Sequence, residues 1–591
     1  MSENHNYTGF EAWLHNLKMS MRMMLFILAA LAIVYVAVVV TYVYFSYDKD
    51  QLYYMYKWLL SGALAKTFPN FTMHLNYDGK VIEVAAHNLF SVYYEQGMTD
   101  LLALRSVAIK SLLVFLLFFP LHKFFSNKAK SQSKDEYARG SQLSTPKELR
   151  KQLRKEQLSL PFGEVKMPIK AEVKHCFIVG ATGKGKTVLT SSFIEELRRR
   201  GEKAIIYDFK GDYVSRFFDP ERDLLFNPLD SRSINWDIFS DMKTPMDIIS
   251  MTASLIPEQA HTSQPFFNLA ARDVFTGVVS HLFQTNQKNY STLWNTLTKS
   301  PEELAELLRN TKGGTAGAAH IADPSNKQTG SVLSTMHLYS KIFEYFKDDN
   351  DSFSIEEWVK NGSGILFISN YDKLKETLKP ILTMFIDTVA RNLISMPDDP
   401  NNRLFFILDE FGTLQKMQRI VELLTLSRSK GGAVFLGIQD IGQIDNIYGK
   451  DLRNTIINAC GTNAIFGVND PDTADFLSRK IGDTEYHKAL SGMTFGSSER
   501  NSVNMHRQKV REPLFISSQI MQLPDLQCYV KFPNFAGCMT TLKPKSYSVN
   551  QEEFKMRPDL SLDNIFWERQ KILDELQIIK TDQNSSKLEK F

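Results

Sequence analysis

Apolar residues fall into distinct textures along this chain. Residues 23–45 carry no charge and are rich in Leu, Ala, Val and Ile, a run long enough to cross a bilayer core as one helix. A cleaved secretory signal is the rival reading, but its apolar stretch is normally shorter and ends in a small-x-small site that is not evident here. A second run, 107–121, is interrupted by Lys110 and preceded by Arg105. Lys110 sits near its start, where a long side chain can reach the interface, so a second span competes with a buried or interfacial helix. From residue 176 the texture changes to short apolar runs at 176–179, 204–208, 224–226, 364–369, 404–408, 433–439 and 463–468, separated by helical segments. Continuous runs of this length predict strands buried on both faces, and hence an open α/β sheet. Residues 242–357 lack such runs and read as a mostly helical insertion, with helices over 270–283 and 301–310; 470–482 is predicted to be helical too.

The flanks of the apolar runs set an orientation. Ten Lys or Arg residues, from Lys123 to Lys155, crowd the segment after the second run, whereas 47–100 holds four. Cationic flanks stay on the cytoplasmic side, so both termini are expected there, with 46–102 outside. The basic stretch is broken by Ser, Gly and Pro and reads as a linker lying on anionic headgroups, with nucleic-acid contact as the alternative.

With 591 residues the chain has room for several domains, and its net charge of only +3 restricts any nucleic-acid contact to a local patch or channel. Cys176, Cys460, Cys528 and Cys538 lack C-x-x-C spacing, which suggests neither a zinc site nor a disulfide framework.

Chemistry concentrates after the first short run. Gly180, Ala181, Thr182, Gly183, Lys184, Gly185, Lys186 and Thr187 fit G-x-x-x-x-G-K-[ST] between a predicted strand and a predicted helix. Glycines let backbone N–H groups turn toward phosphate oxygens, Lys186 would reach the β- and γ-phosphates, and Thr187 would ligate Mg²⁺. The run 404–408 ends in Asp409 and Glu410, as a Walker B strand does: Asp409 would hold the Mg²⁺ shell and Glu410 would polarise the attacking water. The two motifs together predict a hydrolysing NTPase, and the adjacent Glu points to the RecA-like group of P-loop enzymes. The turn from Asp208 to Asp212 ends another run and should lie near the nucleotide. Gln439, ending the run after Walker B, is suited to sensing the γ-phosphate or to being an ordinary strand-end amide. Arg428 is suited either to projecting into a neighbouring subunit's site or to remaining a solvated helix-end cation. The patch Gln328-Thr329-Gly330-Ser331 can be read as a phosphate contact or, more simply, as a loop before a helix.

Taken together, GATGKGKT, YDFKGDY, FFILDEFG, SRSKGGAVFLGIQD, FGVNDPDTADFLSRKIGD and EPLFISSQIMQLPDLQCYV make this chain resemble the type IV secretion coupling proteins, the TraD-like ATPases of conjugation. The resemblance covers about residues 173–529. It implies a RecA-like P-loop NTPase domain at 166–240 and 358–550, interrupted by an all-α domain at 241–357. Before these come a cytoplasmic N-terminus (1–22), a two-helix transmembrane anchor (23–122, spans about 23–45 and 103–122) and a basic linker (123–165); a tail follows at 551–591. It also implies a hexamer in the bacterial inner membrane, using ATP and Mg²⁺ to drive single-stranded DNA with its relaxase toward a secretion channel. The family's finger and sensor fall on Arg428 and Gln439. The alternatives are an FtsK-type double-stranded DNA translocase and a nucleotide-gated protein receptor that moves no DNA. Some members carry a long acidic C-terminal extension that docks the DNA-processing complex; here residues 552–591, or the all-α domain, are expected to take that role.

Overall fold

The computed structural model describes residues 5–68, 70–132, 136–258, 265–348, 352–494 and 502–561, and divides into two compact units, 1–137 with 486–510 and 138–485 with 511–591.

In the smaller unit a 42-residue helix, His5–Ser46, is followed by helix Lys49–Thr67, a hairpin of β1 (Thr72–Tyr77) and β2 (Lys80–Ala85), and helices Ala86–Val92 and Tyr94–Ser111. The last continues through a tighter 3₁₀ stretch, Leu112–Leu117, into helix Phe118–Gln132. Two helical stretches, Ser20–Ser46 and Tyr94–Lys128, are long and apolar enough to cross a membrane, and Phe26, Ile33, Leu113 and Phe119 on them are exposed. The segment between them, expected at 46–102, has a small core of its own. Met73, Leu75, Ala86 and Leu89 are buried together, and Trp58 stacks on Phe90 at 5.3 Å while its indole N–H donates to the Phe90 carbonyl at 3.3 Å.

The chain enters the larger unit along β3 (Glu136–Gly140) and then contributes to a ten-stranded sheet. Its strands are β4 (Leu143–Ser144), β7 (Cys176–Val179), β8 (Lys203–Asp208), β9 (Leu224–Phe226), β10 (Ile365–Ser369), β11 (Leu404–Leu408), β12 (Gly432–Ile438), β13 (Thr462–Ile465), β16 (Gln527–Lys531) and β17 (Gly537–Thr541). The order is β4-β17-β16-β13-β7-β12-β11-β8-β10-β9, parallel from β13 to β9, with β16 antiparallel to both β13 and β17. A short hairpin of β5 (Leu158–Phe162) and β6 (Val165–Pro168) forms its own two-stranded sheet, tied to β17 by the Thr540 hydroxyl, which donates to the Phe162 carbonyl at 2.9 Å, and the chain between the C-terminal strands of the large sheet is drawn out into β14 (Asp483–Thr494) and β15 (Ser502–Pro513).

Both faces of the sheet are buried, which is why its strands read as unbroken apolar runs. Side chains alternate between two layers: Leu404, Phe406 and Leu408 of β11 face one core, and Phe405 and Ile407 face the other, where Phe193 and Leu197 of the helix Lys186–Arg200 pack. The first core continues without a break into the helical insertion, through Met251, Val274, Phe275, Val278 and Met336, and into the largely buried helix Lys375–Ser395. The helical insertion and the sheet thus share one hydrophobic interior.

Three expectations require correction. The segment expected to be a loose basic linker, 123–165, is built into the body over its second half. β4 pairs with β17, Thr145 and Glu148 form a capping box, and Leu149, Leu153, Leu160 and Phe162 are buried; Lys147, Arg150 and Lys151 occupy the outer face of a short amphipathic helix, Pro146–Gln152, and Arg154 and Lys155 are exposed on the 3₁₀ turn that follows. The expected tail begins inside the fold: Phe554 stacks on Tyr371 at 4.1 Å, and Arg557 donates to the carbonyls of Pro228 at 2.8 Å and Tyr345 at 2.6 Å. Residues 562–591 lie outside the described residues. The patch Gln328–Ser331 is not a loop but the first turn of helix Lys327–Ser340, with Asn326 accepting from the Gln328 amide at 2.9 Å.

Candidate active site

The sheet order dictates what can meet at its carboxyl edge. β7 ends in the glycine loop, β11 ends in Asp409 and Glu410, and β12, inserted between them, ends next to Gln439. A cavity of about 180 Å³ at this edge is lined by Ala181, Thr182, Gly183, Gly185, Lys186, Thr187, Asp409, Glu410 and Gln439. Gly183 and Gly185 hold positive φ (81° and 116°), the conformation that lets the loop curl before the helix starts at Lys186. The Lys186 ammonium is buried and donates to the Gly180 carbonyl. Burial pulls its pKa below the usual lysine value, while the nearby Glu410 and Asp409 carboxylates oppose the shift.

Glu410 is held at one of its two oxygens. Its Oε2 accepts from the Gln439 side-chain amide at 3.0 Å, and its Oε1 is buried with no partner among the described residues. Burial raises its pKa, opposed by the Gln439 hydrogen bond and by Lys186. Asp409 Oδ1 accepts from the Thr190 hydroxyl at 3.2 Å, and desolvation raises its pKa as well.

Two of the expected loop residues are turned elsewhere. Gly180 and Lys184 do not line the cavity: Gly180 offers its carbonyl to Lys186, and the Lys184 ammonium reaches out to Asp525 at 2.8 Å and to the Leu523 carbonyl at 3.3 Å. Arg428 is not in the cavity either. It is exposed in the turn just before β12 begins, beside His175 at the start of β7, so it lies at the amino edge of the parallel strands whose carboxyl edge carries the glycine loop. With β12 seven residues long, roughly 20 Å of strand separates the two edges.

The cavity also has the wall expected of the Asp208–Asp212 turn, formed by Asp208, Phe209, Lys210 and Asp212, and it is lined further by Tyr213 and Leu526. The YDFKGDY turn gave a signal, a strand ending in acids. Leu526 gave none, because its position depends on a fold-back across 342 residues: its amide donates to the Lys184 carbonyl at 3.0 Å with φ at +63°, a left-handed conformation rare for leucine. His175 was likewise unassigned. It is buried between β7 and the end of helix Ile420–Leu426, its Nδ1 accepting from the Val434 amide at 3.1 Å and its Nε2 lying 2.9 Å from the Leu424 carbonyl. Only the neutral Nε2–H tautomer serves both partners, and burial depresses the pKa to about 4.

A glycine loop and an acidic pair on strands separated by one amide-bearing strand define a RecA-like P-loop nucleotide-binding fold. The family can be stated as well: the chain belongs to the type IV secretion-system coupling proteins, whose DNA-binding domain model matches residues 159–542. It is 28% identical over 477 residues to the coupling protein TraD of Escherichia coli K12, an alignment covering 78% of this chain and 66% of that protein. It is 26% identical over 228 residues to a conjugal transfer protein TraG of Escherichia coli, covering 35% of each. The chain thus spans just under two thirds of the TraD relative and about a third of TraG. Among solved structures, the plasmid coupling protein TrwB in complex with ADP and Mg²⁺ aligns with a TM-score of 0.63 at 25% identity, covering 71% of this chain and 97% of that one.

Proposed function

We propose that this protein is an ATPase of the bacterial inner membrane, anchored by two spans, that hydrolyses ATP to move single-stranded DNA with its attached relaxase toward a type IV secretion channel. The observation that carries the hydrolytic part is the buried, unpartnered Oε1 of Glu410, which shares one cavity with Lys186, Thr187, Asp409 and Gln439. Similarity to TrwB, whose complexes contain nucleotide and Mg²⁺, supports the choice of ligand.

The donor set fits that choice. Thr187 and Asp409 offer only oxygen, the ligand type a hard divalent cation prefers. When bound, Mg²⁺ would offset charge on the β- and γ-phosphate oxygens. Lys186 would exchange the Gly180 carbonyl for a phosphate oxygen. Glu410, held by Gln439, would orient water through its free oxygen and accept its proton, a role suited to a carboxylate whose pKa is raised. Arg428 cannot reach its own cavity from the opposite edge of the sheet, so we assign it to the site of a neighbouring protomer in a hexameric ring. The spans enclose a folded extracytoplasmic module at 49–92, and the larger unit is cytoplasmic.

The test is the steady-state ATPase rate of the purified full chain with single-stranded DNA, double-stranded DNA or none, across a salt series. Stimulation by single strands that falls steeply with salt is expected. Preference for duplex would instead favour a double-stranded translocase, and indifference to DNA would favour a protein receptor.

A further inference from the structure

Lys210 stands out among the side chains around the nucleotide cavity because it is held in place by everything except its own charge. Its turn is pinned by the buried Asp208, whose Oδ1 accepts from the Gly211 amide at 2.9 Å and whose Oδ2 accepts from the amides of Tyr213 and Val214, both at 2.8 Å. From the strand side, the Asn370 amide donates to the Asp208 carbonyl at 3.2 Å. Gly211 has φ of +82°, and a Cβ there would meet Glu553 Cβ at 2.8 Å, so the C-terminal segment closes over the turn from outside. Lys210 itself is exposed and makes no hydrogen bond or ion pair among the described residues. It nevertheless lies within electrostatic range of both Lys186 and Glu410.

It also stands on a shared wall. On one side is the 180 Å³ cavity with Lys186, Thr187 and Glu410; on the other is an open crevice of about 900 Å³ lined by Asn370, Tyr371, Asp372, Glu552, Glu553 and Phe554. The inner cavity is lined by the carboxyl groups of Asp409 and Glu410, by Asp212, which also pairs with Arg216 at 3.2 Å, and by Asp208, whose oxygens are engaged by the turn, and by two ammonium groups, Lys186 and Lys210. Removing either cation therefore leaves a markedly more negative cavity for a polyanion. The outer crevice offers the same ammonium the carboxylates of Asp372, Glu552 and Glu553.

We infer that Lys210 is a second phosphate-binding cation, which turns from the acidic outer crevice to the terminal phosphate of a nucleoside triphosphate and so distinguishes triphosphate from diphosphate. This rests on the nucleotide reading proposed above and adds to it a residue that neither Walker motif contains. A rigid turn carrying one free ammonium between two anionic alternatives is a two-position element; only a ligand with differential affinity for the two positions can shift it, and a γ-phosphate supplies that difference. A charge-assisted hydrogen bond of this kind corresponds to about a ten- to hundredfold effect on binding.

The experiment measures affinities of the full-length detergent-purified chain for a non-hydrolysable ATP analogue and for ADP, both with Mg²⁺. Lys210→Ala should weaken the analogue by about tenfold or more while changing ADP affinity less than about threefold, and Lys210→Arg should keep most of the preference. Glu552→Gln with Glu553→Gln removes the competing carboxylates without disturbing the turn, and should strengthen analogue binding. Equal losses for analogue and ADP in Lys210→Ala, or no loss, overturn this role alone. A wild-type chain that binds neither nucleotide overturns it together with the nucleotide reading.

Discussion

At the scale of single residues, Glu410 shows how one hydrogen bond divides a carboxylate into a held oxygen and a working one. Glu410→Gln should lower ATP turnover by about a hundredfold or more with nucleotide binding retained, and Gln439→Ala should give a smaller loss of kcat because the carboxylate keeps its charge but loses its orientation. Parallel binding and rate assays separate the two effects. His175 makes a different prediction. Its pKa of about 4 lies below the ordinary 6.5, so the unfolded chain binds a proton that the folded chain refuses. Stability should therefore be fully present above about pH 6.5 and decline as pH falls toward 4, by about 3 kcal/mol from this group. Thermal melts from pH 7.5 to 4.5 should show a decline that is shallower in His175→Gln. That Lys186, Thr187, Asp409 and Glu410 line one cavity was legible in the sequence because two short motifs carry them, while Gln439 could be read only as a strand-end amide, with its role left open. His175 and Leu526 were not legible, because their meaning lies in contacts with carbonyls and amides 249 and more residues away.

At the scale of elements, the strands were the easiest to read and the polar margins the hardest. A strand covered on both sides shows itself as an unbroken apolar run, so β7, β8, β10, β11 and β12 could be anticipated to within a residue or two. The segments that fasten to the body from outside are amphipathic or mostly polar, and their charges suggest solvent. Residues 143–162 and 551–561 belong to this class, and β14 and β15, rich in polar residues, gave no strand signal. What holds the base of the sheet is similarly hidden. Glu172 is fully buried and receives Arg200 at 2.6 Å and also Arg403, joining the segment before β7 to the P-loop helix and to the start of β11. Glu172→Ala strands the half-buried Arg403 guanidinium and leaves Arg200 with Glu202 alone, and should cost about 3 kcal/mol, seen as a lowered midpoint in urea unfolding. In the C-terminal strap, Arg557→Ala removes donors from the carbonyls of Pro228 and Tyr345, and about 2 kcal/mol is the expected loss by the same measurement.

At the scale of the whole molecule, the two units make separable predictions. A cysteine introduced at Asp78, in the turn between β1 and β2, should be labelled by a membrane-impermeant maleimide applied to the periplasmic face. The four native cysteines are buried and free, so background labelling should be low. Protection of that cysteine would reverse the proposed orientation. For assembly, chains carrying Lys186→Ala and chains carrying Arg428→Ala should each be inactive, yet mixing them equally should restore turnover, since about a quarter of the interfaces in a closed ring would pair an intact loop with an intact arginine. Mixtures as inactive as their components would place Arg428 outside catalysis. The α/β class and the two helices long and apolar enough to cross a membrane were legible from texture alone, whereas the single interior shared by helices and sheet was not, because an apolar helix face does not reveal what covers it.

The separation of Arg428 from its own glycine loop has a consequence for the cell. On the proposed reading, a solitary copy newly delivered to the bilayer is half of a catalyst and consumes no fuel. Expenditure begins only once copies stand shoulder to shoulder, so the timing of recruitment to a transfer apparatus, and not the rate of synthesis, sets when energy is committed to export.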